Sequence, residues 1–255
     1  MVDIWDITIP ELTGEETRKL YIYLPTSYDS EQDRRYPVLY MFDGQNVFFD
    51  SEATYGKSWG MKDYMDYTNT EMIIVAPACN QHPDNGRLRE YSPFTFKDPE
   101  FGTIKGYGKI TMNWIINELK PEIDKDFRTL PDREHTFIAG SSMGGLMSLY
   151  AVVKYNHVFS RAGIFSPSVW VGVNRLAKMI KNADIASDTV VYMDYGEQEL
   201  SNHKDMLRQF IKISSILMKK NVRVNTRIVP NGTHSEASWE KQVPFFMNTV
   251  LYELE

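Results

Sequence analysis

A serine hydroxyl does nucleophilic chemistry only when its oxygen stands clear of the backbone and a base takes its proton. Ser142 is placed for the first requirement. It is the centre of Gly140-Ser141-Ser142-Met143-Gly144, a G-x-S-x-G pattern that follows a short apolar run from Thr136 to Ala139 and precedes an amphipathic helical pattern reaching Tyr150. In a strand-to-helix turn of this kind the central residue is held in a strained backbone conformation. The flanking glycines let the turn close without Cβ clashes, so the side-chain oxygen projects beyond the sheet. Gly and Ser also make plain turns, and a five-residue pattern of small residues recurs by chance; the strand before it and the helix after it are what the motif demands.

Histidine suits the role of base because its unperturbed pKa lies near neutrality. In an open α/β sheet the functional crevice lies beyond the carboxyl ends of the strands, so a partner for Ser142 must follow a strand directly. His135 enters the strand that leads to Ser142; at about 3.3 Å per residue it stands roughly 20 Å away, at the wrong end. His157 lies beyond the helix that starts at Ser142, and at about 1.5 Å per residue it is separated by a similar length. His82 falls in a polar loop and His203 at the start of a helix, where position does not decide. His234, in Pro230-Asn231-Gly232-Thr233-His234-Ser235, follows a strand directly and ranks first. Without Ser142 it would read as a surface-loop histidine.

The base needs a carboxylate to fix its tautomer and stabilise the imidazolium. Asp184 and Asp188 precede the strand Thr189 to Asp194 and fall at the wrong end, which leaves Asp194, Glu197 and Glu199. The residues alone do not choose among them. An oxyanion formed on the substrate needs two donors. One is the backbone amide of Met143, at a helix N-terminus whose dipole favours negative charge. The other belongs to the loop after the apolar run Pro37 to Phe42, where Asp43-Gly44-Gln45 also reads as an ordinary turn.

These groups need a scaffold. A chain of 255 residues accommodates one sizeable α/β domain spanning 1–255. Two half-exposed strands, Ile4 to Ile9 and Arg18 to Leu24, open the chain. Buried strands are expected at 37–42, Met72 to Ala76 and Thr136 to Ala139, an apolar strand at Ala162 to Phe165, and further strands at Thr189 to Asp194 and Val222 to Val229. Helices are expected around Trp59 to Tyr67, Lys109 to Lys125 with a kink at Pro121, Asn174 to Lys181, Ser201 to Lys219 and Trp239 to Leu251. The expected fold class is α/β, with a mostly parallel central sheet, an antiparallel N-terminal edge and helices on both faces. The stretch Asn80 to Gly108 reads as long and irregular, a candidate cap over the site.

Lys and Arg number 28 against 34 Asp and Glu, so 28 − 34 = −6, which offers no basic footprint for nucleic acid and no polybasic membrane anchor. The one cysteine, Cys79, rules out an intrachain disulfide framework and a cysteine-based zinc cluster. No apolar stretch approaches the roughly 20 residues of a spanning helix. The N-terminal MVDIWDITIPEL has no basic region followed by an apolar run, so a cytoplasmic location is expected. Asn231-Gly232-Thr233 matches a glycosylation sequon in form and reads as a turn.

The chain resembles the Putative esterase family of α/β-hydrolases, which contains siderophore trilactone esterases, feruloyl and acetyl-xylan esterases and esterase D. The resemblance runs through Tyr21 to Pro25 with Tyr28, YPVLYMFDGQNVF at 36–48, NELKPEID at 117–124, GSSMGG at 140–145, FSPSVW at 165–170 and GTHSEASW at 232–239. It implies an α/β-hydrolase fold, Ser142 as nucleophile and His234 as base, and the chain order Ser, acid, His is the one this fold uses. It favours Glu199, three residues after Gly196, as the acid, and implies the Gln45 amide as the second oxyanion donor. Many members carry His-Gly where this chain has Asp43-Gly44; a siderophore-esterase-like branch carries Asp, so the departure bears on subfamily. The implied activity is ester hydrolysis through an acyl-enzyme, on a siderophore ester, a feruloyl or acetyl sugar ester or a short acyl ester, with no metal or organic cofactor. Thioester or S-formylglutathione hydrolysis by the same triad is one alternative, and a non-catalytic binding module on this fold is another. Trp170 and Trp239 read either as pocket walls or as core aromatics, and Arg89, with Arg87, as a partner for an acidic or catecholate-like ligand or as a solvated loop charge.

Overall fold

Alternation of apolar and polar residues at the N-terminus produces two strands, β1 (Val2–Thr8) and β2 (Thr17–Tyr23), joined through the short helix α1 (Pro10–Thr13). In the computed structural model, which describes residues 1–202 and 205–252, the chain divides into two compact units, Met1–Phe137 and Ile138–Glu255. The first unit continues with β3 (Val38–Met41), α2 (Met61–Thr68), β4 (Ile73–Pro77), α3 (Gly86–Glu90), the hairpin β5 (Phe96–Asp98) and β6 (Gly102–Ile104), α4 (Gly108–Trp114) and α5 (Lys120–Asp126). Its strands follow the order β1-β2-β4-β3. The β1–β2 and β2–β4 pairs are antiparallel and β3–β4 is parallel.

The second unit is entered through β7 (Thr136–Ser141), which crosses the boundary. There follow α6 (Met143–Lys154), β8 (Arg161–Phe165), α7 (Val173–Asn182), β9 (Val190–Gly196), α8 (Glu197–Asn202), α9 (Met206–Met218), β10 (Arg223–Val229), α10 (Glu236–Glu240) and α11 (Val243–Leu251). Strand order here is β7-β8-β9-β10, with β8–β9 and β9–β10 parallel. The fold is thus the expected α/β class, mostly parallel with an antiparallel N-terminal edge. Parallel strands covered on both faces need apolar residues at every position; β3, β4, β7, β8 and β9 are buried throughout.

Five local expectations are corrected. The second half of β2, Leu20 to Tyr23, is fully buried, not half exposed. Its tyrosines keep their hydroxyls satisfied by donating to Glu52 (Tyr21, 2.9 Å) and Asp66 (Tyr23, 2.8 Å). The stretch 80–108 contains α3 and the β5–β6 hairpin, too short to register as periodicity. Around Pro121 the distortion lies upstream: Ile115–Leu119 widens into a π-helical turn. Proline lacks the N–H that would bond four residues back and its ring crowds that carbonyl, here Asn117 inside the widened turn. The helix expected from Ser201 to Lys219 is observed as two, α8 from Glu197 to Asn202 and α9 from Met206 to Met218. Finally, α6 is buried on every side from Met143 to Val153 and is not amphipathic, as befits a helix apolar all round. The Ser148 hydroxyl in its interior donates to the Gly144 carbonyl at 2.9 Å. No helix among the described residues is long and apolar enough to cross a membrane.

Candidate active site

Ser142 directly follows β7 and caps α6 with φ 58° and ψ −119°, a conformation L-residues rarely adopt. Strand and helix meet so closely that a Cβ on Gly140 would lie 2.8 Å from the Gly144 backbone, which only glycine tolerates. The turn is pinned to β8: the Ser142 amide donates to Phe165 O at 2.9 Å, and the Ser142 carbonyl accepts from the Ser168 amide at 3.0 Å. The side-chain oxygen lies 3.5 Å from Ser168 Oγ. Met143 is the first residue of α6, so its amide belongs to the unpaired N-terminal turn of a helix.

His234 and Glu199 meet because the loops after β9 and β10 are joined backbone to backbone. A Cβ on Gly196 would lie 2.4 Å from the Gly232 carbonyl oxygen, so that contact requires glycine. Gln198 N donates to Gly232 O at 3.0 Å, and Asn231 N donates to Glu197 Oε2 at 3.0 Å. Held together in this way, the loops bring His234 Nδ1 to 2.5 Å from Glu199 Oε2. Glu199 is 7% exposed and His234 46%, so the carboxylate is shielded while the ring reaches solvent. The other carboxylate oxygen, Glu199 Oε1, accepts from the Ser166 hydroxyl at 2.6 Å and the Gly196 amide at 3.0 Å.

The two rival carboxylates are engaged elsewhere. Glu197 is exposed and caps Asn231. Asp194 is fully buried, accepting from Tyr192 OH at 2.9 Å and from the Ser166 amide at 3.3 Å. Burial pushes its carboxyl up to about 7, against the donors from Tyr192 and Ser166, and the neighbouring Glu199 charge adds to the rise. The unfolded chain loses this proton near the ordinary value of about 3.9, whereas the folded chain holds it until about 7. Stability therefore declines as pH rises through that window. Asp194→Asn should gain on the wild type by on the order of 2 kcal/mol between pH 5 and pH 8. Urea unfolding at both pH values measures this, and an equal difference at the two would contradict it.

Of the remaining histidines, His135 pairs with Asp132 at 2.8 Å, His82 with Asp84 at 2.7 Å, and the His157 ring lies 6.4 Å from the Tyr155 ring. His203 lies outside the described residues. Trp170 is 40% exposed, in a 3-10 turn after β8. Trp239 is buried; its ring meets His234 edge-on at 5.1 Å and its indole N–H donates to Ser166 Oγ at 3.0 Å. Ser166 and Ser168 had no assigned role in the sequence. Their signal was positional, in the FSPSVW stretch just past a strand end.

In the first unit, Gln45 sits in a 3-10 turn after β3 and is buried. Its side chain is clasped by Cys79, donating to Sγ at 3.3 Å and accepting from the backbone amide at 3.1 Å. Asp43 precedes it with φ 61° and accepts two hydrogen bonds from Arg87, at 2.6 and 2.8 Å. Arg89 pairs with Asp84 at 2.5 Å and lines a cavity of about 280 Å³ with His82, Glu90 and Tyr107.

A serine at a strand-to-helix turn in a mostly parallel sheet, with a carboxylate-bound histidine past a later strand of the same unit, defines a hydrolase of the α/β class. The family model Putative esterase matches residues 12–247, and the chain belongs to that family; it is a carboxylic ester hydrolase. It is 25% identical over 198 residues to the uncharacterized protein YbbA of Bacillus subtilis, covering 76% of this chain and 74% of that one. It is 27% identical over 165 residues to an endo-1,4-beta-xylanase/feruloyl esterase of Xylanibacter ruminicola, covering 62% of this chain and only 21% of that longer protein. Among solved structures, an IroE-like serine hydrolase from Shewanella oneidensis superposes with TM-score 0.76 at 21% identity, over 99% of this chain and 79% of that one. The Shigella flexneri enterobactin esterase superposes with TM-score 0.75 at 15% identity, over 100% and 60%. At these identities the structural likeness speaks to fold.

Proposed function

We propose that this ester hydrolase works through Ser142 as nucleophile, His234 as general base and acid, and Glu199 as the carboxylate behind the histidine. The observation that carries the reading is the hydrogen bond from His234 Nδ1 to a shielded Glu199, which leaves Nε2 of a half-exposed ring available. Ser142, held at positive φ at the start of α6, supports it. Ser142 Oγ loses its proton to His234 and bonds to the ester carbonyl carbon. The Met143 amide stabilises the oxyanion, with the Gln45 amide as the second donor carried over from the family. The alcohol leaves with the proton from His234, and water then cleaves the acyl-enzyme by the same route. The substrate is a small or medium carboxylic ester: a siderophore ester, a feruloyl or acetyl sugar ester, or a short acyl ester. Relatives named as feruloyl and enterobactin esterases support that range.

A fluorophosphonate probe should label the wild type at Ser142, read as a mass shift on the peptide carrying 140–145. Labelling that persists in Ser142→Ala would overturn the assignment, and failure to label the folded wild type would favour a binding module.

A further inference from the structure

The second unit contains a chain of hydrogen bonds that ends on the proposed acid and begins on a tryptophan. Trp239 Nε1 lies 3.0 Å from Ser166 Oγ, which lies 2.6 Å from Glu199 Oε1; Glu199 Oε2 lies 2.5 Å from His234 Nδ1. Indole N–H donates and cannot accept, so Ser166 must accept at that contact. Its single proton then has one place to go, Glu199 Oε1. The Gly196 amide donates to the same oxygen at 3.0 Å. With two donors converging on Oε1, the carboxylate is held with Oε2 turned to the histidine.

Ser166 itself is fixed with unusual firmness. Its φ is 41°, and its amide donates to the Asp194 carbonyl oxygen at 3.1 Å and to Asp194 Oδ1 at 3.3 Å. Two residues on, Ser168 N holds the Ser142 carbonyl at 3.0 Å. The Phe165–Ser168 segment thus touches both the nucleophile turn and the acid. Trp239 closes the loop, because the ring that donates to Ser166 also packs edge-on against His234, centroids 5.1 Å apart at 81°.

We propose that Ser166 and Trp239 are positioning residues: Trp239 orients the Ser166 hydroxyl, and that hydroxyl sets the rotamer of Glu199, on which the His234 tautomer depends. This rests on the triad reading above. Trp239 is 5% exposed, so its effect should appear in kcat and not in KM. A tryptophan acting as a substrate wall would do the reverse.

Kinetics of purified Ser166→Ala and Trp239→Phe on p-nitrophenyl butyrate, in the wild-type and Glu199→Gln backgrounds, test this. Ser166→Ala should lower kcat about 10- to 100-fold, the range of one charge-assisted hydrogen bond, with KM within about twofold. Trp239→Phe should lower kcat less, and the double variant should be no worse than Ser166→Ala, because the two act through one atom. In the Glu199→Gln background Ser166→Ala should change kcat far less than it does in the wild type. The low-field proton resonance of the His234–Glu199 hydrogen bond should shift in both single variants. Wild-type kcat in Ser166→Ala, an unmoved resonance, or a KM effect alone in Trp239→Phe would overturn the brace. If Ser166→Ala fails to fold, Trp239→Phe decides through the same kcat and resonance readouts. The brace and the triad fail separately: wild-type turnover in Ser142→Ala removes the triad, whereas inactive Ser142→Ala and Glu199→Gln beside a fully active Ser166→Ala removes only the brace.

Discussion

Ser142→Ala is expected to lower kcat on p-nitrophenyl acetate by on the order of a millionfold, as loss of a serine nucleophile does when no other group can form the acyl-enzyme. The protein should stay folded. Ser142 Oγ has a single neighbour at hydrogen-bond length among the described residues, Ser168 Oγ at 3.5 Å, so its removal costs little. Alanine also retains a Cβ, so the strain at φ 58° is the same before and after substitution. Ser142→Gly differs in that respect. It should be equally inactive yet more stable by about 1 kcal/mol or more, because glycine adopts positive φ without the penalty of roughly 1–3 kcal/mol that a side chain carries there. Thermal melting beside turnover measures both parts. Activity near wild type in a folded Ser142→Ala would sink the nucleophile assignment, and a less stable Ser142→Gly would contradict the strain.

Glu199→Gln should lower kcat about 10⁴-fold, the loss expected when an amide replaces the carboxylate and turns the histidine tautomer the wrong way. The amide must present either its oxygen or its NH₂ to His234. Its other end then meets the Ser166 hydroxyl and the Gly196 amide, two groups now arranged as donors to Oε1. Whichever way the amide settles, one donor faces another or the histidine loses its acceptor. Asp194→Asn should cost no more than a few-fold in kcat, since Asp194 is buried on Tyr192 and Ser166 and the raised carboxyl spends much of its time protonated near neutral pH. The two variants are compared under saturating substrate. A larger loss in Asp194→Asn would mean that the acid is misassigned. The shielding of Glu199, 7% exposed against 46% for His234, adds an ordering: salt should change the rate through the ring far more than through the carboxylate.

The strand-to-helix turn at Ser142 was legible because its signal is local. Two glycines, a buried apolar run and a helical pattern are all within a dozen residues, and each restricts the backbone where it stands. Strand and helix rise set His135 and His157 far from Ser142 in the sequence itself, and the place of His234 directly after a strand ranked it first as the proposed base. Long buried strands were readable for the same reason; the β5–β6 hairpin, with three residues a side, and the five-residue α3 were not, because neither completes enough periods to show. The burial of α6 on all sides had no mark in the sequence, because a polar residue such as Ser148 can bond within the helix and still be buried.

By itself, then, the sequence determined the α/β class, the turn that carries Ser142 and the strand edge on which a base must sit, since each follows from backbone geometry over short spans. Which carboxylate meets His234 was left to tertiary structure. Asp194, Glu197 and Glu199 lie within six residues of one another, and their fates diverge only through contacts from distant segments: Tyr192 and Ser166 take Asp194, the Asn231 amide takes Glu197, and the close approach of Gly196 to Gly232 delivers Glu199. The Trp239–Ser166 link lay equally beyond the sequence, because it spans 73 residues and hydrogen bonds across such separations have no local signature.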